Sequence, residues 1–167
     1  MTKKISAGFV LLALALVVSG CGFHLRGAVD LPESLQQIAI GGTGFSRDLR
    51  RRLESSLRSN GVEVVKTADT GIPELRIVKE AHTKRAVTLN ASGNVRDFDL
   101  SYSLEFLVAG TTDEILLPRQ SIRVQRNFKY DQTDVLGKAN EEKLLRRELL
   151  NEAVDQLLSR LRSLKEY

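Results

Sequence analysis

The sequence predicts an α+β fold: a two-layer sandwich in which a mixed, mostly antiparallel sheet of four to five strands carries two helices packed on one face. Three observations predict it. From Asp97 to Phe106 apolar and polar residues alternate strictly, with Phe98, Leu100, Tyr102, Leu104 and Phe106, continued by Val108, in one phase and Asp97, Asp99, Ser101, Ser103 and Glu105 in the other; that period marks a half-buried antiparallel strand. Two other segments repeat leucine at helical spacing. A one-faced sheet and two one-striped helices must bury those surfaces against each other.

The chain opens with a short basic start, Lys3 and Lys4, then an apolar run from Ile5 to Val18 broken only by Ser6 and Gly8, then Val18-Ser19-Gly20-Cys21. That order reads as a secretory signal, and its apolar run is shorter than the ~20 residues needed to span a bilayer. The ending resembles a bacterial lipobox. The resemblance implies cleavage before Cys21 and a covalent lipid on it, an S-diacylglycerol and an N-acyl chain, with no other cofactor. More than one chain makes such an anchor stable. Residues 1–20 are therefore expected to be a lipoprotein signal peptide, 21–35 a lipidated N-terminus and tether, and 36–167 a single domain. Gly22, where aspartate would signal inner-membrane retention, favours the outer membrane. Cys21 has no second cysteine to pair with.

Loss of Lys3 and Lys4 leaves 23 basic and 21 acidic side chains, a net +2. With no tryptophan and few aromatics, the chain lacks the stacking platform of single-strand binders, and no nucleic-acid partner is expected. The mature length suffices for a core without disulfides or metals.

Gln36 to Ile40 reads as a short strand, and Gly41-Gly42-Thr43-Gly44 as a turn. That turn lacks the GK[ST] or spaced glycines of a phosphate loop. Phe45, Leu49, Leu53 and Leu57 fall on one stripe of a helix over 45–60, capped by Thr43 or Ser46 and stopped by Asn60-Gly61. Its arginines (Arg47, Arg50, Arg51, Arg52, Arg58) form either a solvated face or a contact for an acidic partner or lipid phosphates. Val62 to Val65 completes a β-α-β unit. After Pro73 a strand carries Leu75, Ile77, Ala81, Val87 and Leu89 in broken alternation, and Asn90–Asn94 turns the chain. The last strand runs to about Tyr130, with Ile122, Val124, Phe128 and Tyr130 in phase. A loop over 131–134, punctuated by Gly137, precedes a helix over about 139–164 with a Leu150, Val154, Leu157, Leu158, Leu161, Leu164 stripe.

Catalytic and metal-binding signatures are missing: His24 and His82 have no ligand spacing, and no nucleophile or zincin motif occurs. No enzyme is expected; a deep pocket holding His82 beside a carboxylate is the arrangement that would reopen the question. Asp97 and Asp99 are expected to form cross-strand pairs with Arg119, Arg123 or Lys129.

The stretch Cys21-Gly22-Phe23-His24-Leu25-Arg26 resembles the start of the LptE family of lipopolysaccharide-assembly lipoproteins. The order of elements, Arg126-Asn127-Phe128 and the run from Leu136 to Glu142 are similar too. The resemblance implies a plug in the lumen of the LptD β-barrel, in a 1:1 complex that inserts lipopolysaccharide into the outer leaflet. It also implies help with assembly of that barrel, binding of lipopolysaccharide, and a body facing the periplasm and barrel lumen. Lys138 matches a basic position tied to lipopolysaccharide in that family. The second such position falls near Ala91-Ser92, which are not basic, so Lys84, Arg85 and Arg96 are the nearest basic candidates. The alternative is a stand-alone, periplasm-facing lipid-binding lipoprotein.

Overall fold

A 3-10 turn over Glu33–Leu35 leads into β1 (Gln37–Gly42), α1 (Arg47–Ser59), β2 (Glu63–Val65), β3 (Glu74–Leu89), β4 (Val95–Ala109), β5 (Ile115–Lys129) and α2 (Val135–Arg162). The computed structural model describes residues 31–66, 71–89, 95–111, 114–130 and 134–164. The signal peptide, Cys21, most of the tether, the turn at Asn90–Asn94 and residues 131–133 lie outside the described residues. The strands form one sheet in the order β2-β1-β3-β4-β5. β1 pairs in parallel with β2 and β3, and β3-β4-β5 is an antiparallel meander. The sheet is therefore mixed and mostly antiparallel, with two helices, as the sequence predicts.

The residues explain the elements. Ser46 caps α1 by accepting the Leu49 N–H at 3.1 Å, and Asp48 lies in the first turn, where a negative charge suits the helix dipole. Phe45, just before the cap, lies under the Arg50 guanidinium at 4.8 Å, a cation–π version of a staple. Leu49, Leu53 and Leu57 are fully buried. α2 starts four residues before the expected Ala139. Asp134 caps it by accepting the Gly137 N–H at 3.0 Å, so Gly137 belongs to its first turn and does not break it. A Cβ at Gly137 would lie 2.1 Å from the Asp134 carboxylate; glycine leaves room for the cap. Leu149, Leu150, Ala153, Val154, Leu157, Leu158 and Leu161 of α2 are buried in the same core as Leu100, Tyr102, Leu104, Phe106 and Val108 of β4. The expected α2 stripe omitted Leu149 and Ala153. Leu35, the last residue of the stretch read as a tether, is also in this core.

β3 departs most from the expected pattern. Leu75 and Ile77 face the core with their partners Val108 and Phe106. The register then shifts between Ile77 and Lys79. One extra residue turns every following side chain over. Beyond it Glu80, His82, Lys84 and Ala86 pair with Leu104, Tyr102, Leu100 and Phe98 and share their face. Ala81, expected on the apolar face with Val87 and Leu89, therefore faces away with Ser103. The polar side chains that the shift turns toward the helices build the site described below. Asp97 and Asp99 also differ from expectation: Asp97 accepts from the Thr88 hydroxyl, while Arg119 pairs with Glu105.

Gly42 ends β1 with φ +103°, and a Cβ there would lie 2.1 Å from the backbone carbonyl oxygen of Ile77. Both the left-handed backbone and the close approach to β3 require glycine. Gly42→Ala is expected to lower the unfolding free energy by about 1–3 kcal/mol, read as a lower urea midpoint at unchanged slope.

Candidate functional site

Glu80 is the organising carboxylate of the inner face. Its side chain is 4% exposed. It accepts the Ser46 N–H at 2.5 Å, the Ser46 hydroxyl at 2.9 Å and the Tyr102 hydroxyl at 3.0 Å, and His82 Nε2 lies 3.6 Å away. Burial by itself would raise its pKa; the neighbouring His82 and the hydrogen bonds from Ser46 and Tyr102 outweigh burial and hold it at about 2. Burial first, then the Glu80 charge and hydrogen bond, push the Tyr102 hydroxyl well above its ordinary value, so it stays a donor. The carboxylate thus fastens the start of α1 to β3 and β4.

His82 beside a carboxylate is the arrangement named above as the one that would reopen catalysis. Its order is wrong for nucleophile activation. Glu80 lies between Ser46 and His82, and the Ser46 hydroxyl donates directly to the carboxylate, so no imidazole stands ready to take its proton. A carboxylate held at about 2 is also a poor base at neutral pH. Among the described residues, no group of three or more His, Cys, Asp or Glu could hold a metal.

The second cluster lies toward the β3–β4 turn, where the inner face meets the start of α2. The rings of Phe98, Phe128 and Tyr130 gather there: Phe98 lies 6.4 Å from Phe128 and 5.8 Å from Tyr130, the latter edge-on. Lys84 Nζ stands over all three, at 4.3, 5.4 and 5.8 Å from Phe98, Phe128 and Tyr130. Lys138, from the first turn of α2, stands 5.8 Å over the same Phe128. Each ammonium also holds a carboxylate: Lys84 donates to Glu142 at 2.6 Å and Lys138 to Glu141 at 2.7 Å. Glu142 accepts from Arg146 as well, at 2.7 and 3.0 Å. Burial would raise the Glu142 pKa, but the bonds and charges of Lys84 and Arg146 lower it.

The structure brings two of the sequence candidates together. Lys84 and Lys138 meet over Phe128. Arg96 lies in phase with Phe98 on β4, and its carbonyl accepts the Tyr130 N–H at 2.8 Å, so its backbone borders the cluster. Arg85 pairs across the sheet with Asp99 on the opposite face, away from Lys84. Cys21 lies outside the described residues. Sequence reasoning placed Phe98, Phe128 and Tyr130 in phase but did not recognise them as the floor beneath two lysines, and it missed Glu142 and Glu80. The signal it had was parity: Phe98, Phe128 and Tyr130 share a face, and Lys138 and Glu142 lie one helical turn apart.

The uncovered face of the sheet is polar. Lys79, Thr83 and Arg85 of β3, Asp99, Ser103 and Glu105 of β4, and Arg123, Gln125 and Asn127 of β5 share it by register. A five-stranded mixed sheet with two helices on its inner face is an α+β fold that this chain shares with solved bacterial lipoproteins. Rare lipoprotein B from Shewanella oneidensis superposes with a TM-score of 0.65 at 27% identity, over 75% of this chain and 92% of that one. An uncharacterized lipoprotein B from Nitrosomonas europaea superposes with a TM-score of 0.73 at 27% identity, over 85% and 91%. The chain belongs to the LptE family, whose model, described as "Lipopolysaccharide-assembly", matches residues 34–161. The LPS-assembly lipoprotein LptE of Yersinia pestis (strain Pestoides F) is 31% identical over 159 residues, covering 91% of this chain and 73% of its own. That of Pectobacterium atrosepticum is 29% identical over 147 residues, covering 87% and 79%. Among the described residues, no helix is long and apolar enough to cross a membrane.

Proposed function

We propose that the protein is an outer-membrane lipoprotein, anchored through lipid on Cys21, that plugs the LptD β-barrel in a 1:1 complex, assists its assembly and binds lipopolysaccharide. The observation that carries the reading is the division of one rigid sheet into two faces in a member of this family. The helices cover one face, and the other presents paired charges, hydroxyls and amides. Barrel lumens are lined by polar groups, and such a face meets them without exposing apolar surface. Lipid A carries phosphates and acyl chains. The cluster offers an ammonium for the first and rings for the second, from Lys84, Lys138, Phe98, Phe128 and Tyr130. Both pairs reach solvent, with Glu141 46% exposed and Lys84, Lys138 and Glu142 20–29% exposed; exposed ion pairs contribute only about 0–1 kcal/mol, and a phosphate dianion competes for the same ammonium groups.

Photo-crosslinking in cells tests the plug. A photoreactive residue at Ser103 or Gln125 on the open face is expected to give an adduct with a large barrel protein. Adducts from neither position, with the protein present in the outer membrane, would count against it. The second reading is a lipoprotein that binds lipid by itself. It requires lipopolysaccharide binding in cells depleted of the barrel and no barrel adduct.

A further inference from the structure

A separate cavity opens between α1 and α2, with a volume of about 750 Å³, in the range of small-molecule sites. Leu150 and His82 are among its lining residues. Five cations line it: Arg51 and Arg52 from α1, and Lys143, Arg146 and Arg147 from α2, against the single acid Asp48. Lys84, Lys138 and the rings of the aromatic cluster do not line it. Glu142 separates the two places, since it accepts from Lys84 on one side and Arg146 on the other.

Internal pairs leave this charge incompletely matched. Arg51 is held by Asp48, and Arg146 by Glu142. Arg52 reaches Asp155 only at 3.5 Å, and its Nε is buried with no hydrogen-bond partner. The Arg52 side chain is nonetheless 37% exposed, and an ion pair that long and that exposed contributes only about 0–1 kcal/mol. Lys143 and Arg147 have no carboxylate within 4.0 Å among the described residues. They are one helical turn apart, roughly 6 Å along the axis, so both present charge along one wall. The cavity also opens at Ser46 and Asp48, where the first turn of α1 carries partial positive charge.

We infer that the cleft between α1 and α2 is a binding site for a small, multiply charged phosphate ester, held by Arg147 and Lys143 on one wall and Arg52 on the other. Guanidinium groups take phosphate oxygens through paired N–H donors, and Lys143 adds a point charge. A folded partner needs an interface of about 1,000 Å² or more, whereas an open cleft of this size with Leu150 as its one apolar lining residue suits a sugar-sized ligand. The inference does not depend on the plug or on lipopolysaccharide binding at the aromatic cluster. The phosphate ester has two sources, a soluble phosphorylated sugar or a lipid headgroup.

Calorimetry on the full chain in mild detergent tests it, with fructose 1,6-bisphosphate as the soluble probe and phosphatidic acid vesicles as the lipid one. The wild type is expected to bind at least one probe, and fructose not at all. Lys143→Gln with Arg147→Gln is expected to weaken binding at least tenfold while thermal unfolding stays unchanged. Lys66→Gln with Arg162→Gln, two exposed residues outside the cleft whose loss removes the same charge, is expected to leave it within twofold. Binding of the sugar bisphosphate assigns a soluble ligand, and binding of the vesicles alone assigns a headgroup; both support the site. Binding of neither probe would overturn it, as would equal loss in the two double variants or tighter binding of hexaglutamate than of either phosphate probe.

Discussion

Glu80→Gln is expected to lower the unfolding free energy at neutral pH by about 3 kcal/mol, close to the largest effect available to a single substitution that keeps side-chain volume. The carboxylate is nearly inaccessible and accepts three hydrogen bonds, two from Ser46 at the start of α1 and one from Tyr102 on β4. Hydrogen bonds to an ionised acceptor contribute about 1.5–3 kcal/mol, and a pKa of about 2 against an ordinary 4.5 corresponds to about 3 kcal/mol favouring the folded, ionised form. The folded value lies below the unfolded one. The stabilisation is therefore fully present above about pH 4.5 and is lost as pH falls toward 2. Urea titrations at steps between pH 7 and pH 2 should show the wild type losing stability over that interval. The glutamine variant should start lower and lose about 3 kcal/mol less on acidification. Parallel pH profiles for the two proteins would contradict the assignment.

Lys84→Gln combined with Lys138→Gln is expected to weaken lipopolysaccharide binding by about 100-fold. Each ammonium offers one charge-assisted contact to a phosphate, and two such contacts at about 1.5 kcal/mol each amount to about two decades of affinity. Surface plasmon resonance with immobilised lipopolysaccharide reads this directly. Arg85→Gln is the matched control, because Arg85 lies on the opposite face of the sheet with Asp99 and should retain wild-type affinity. Loss of binding in the control as large as in the double variant would reduce the effect to net charge. Unchanged binding in the double variant would remove the aromatic cluster as the site.

The elements were legible where the reason for them is local. β4 alternates because one of its faces is buried from Leu100 to Val108, and α1 repeats leucine every four residues with Ser46 at its cap. The β3 shift at Val78 was not legible, because a bulge is defined by the partner strand, and nothing in Ile77-Val78-Lys79 marks it. That one residue decides that Lys84 faces α2 while Arg85 faces outward, so the sequence could propose both and could not separate them. Gly137 read as a break because glycine weakens helix interiors. In the first turn, beneath the Asp134 cap, it leaves room for the cap instead. Glu80 was invisible for another reason: its partners Ser46 and Tyr102 lie 34 and 22 residues away, and a lone glutamate in a strand carries no mark of burial. The basic character of Lys138 was legible from the family resemblance, but its position over Phe128 depends on how α2 docks across β5.

The most direct measurement is isolation of the native protein from outer membranes in mild detergent, followed by mass determination of the intact complex. A single complex containing this chain, carrying lipid on Cys21, and one large β-barrel in equal numbers is the predicted result. Recovery of the protein by itself, with the barrel intact in the same extract, would contradict a plug.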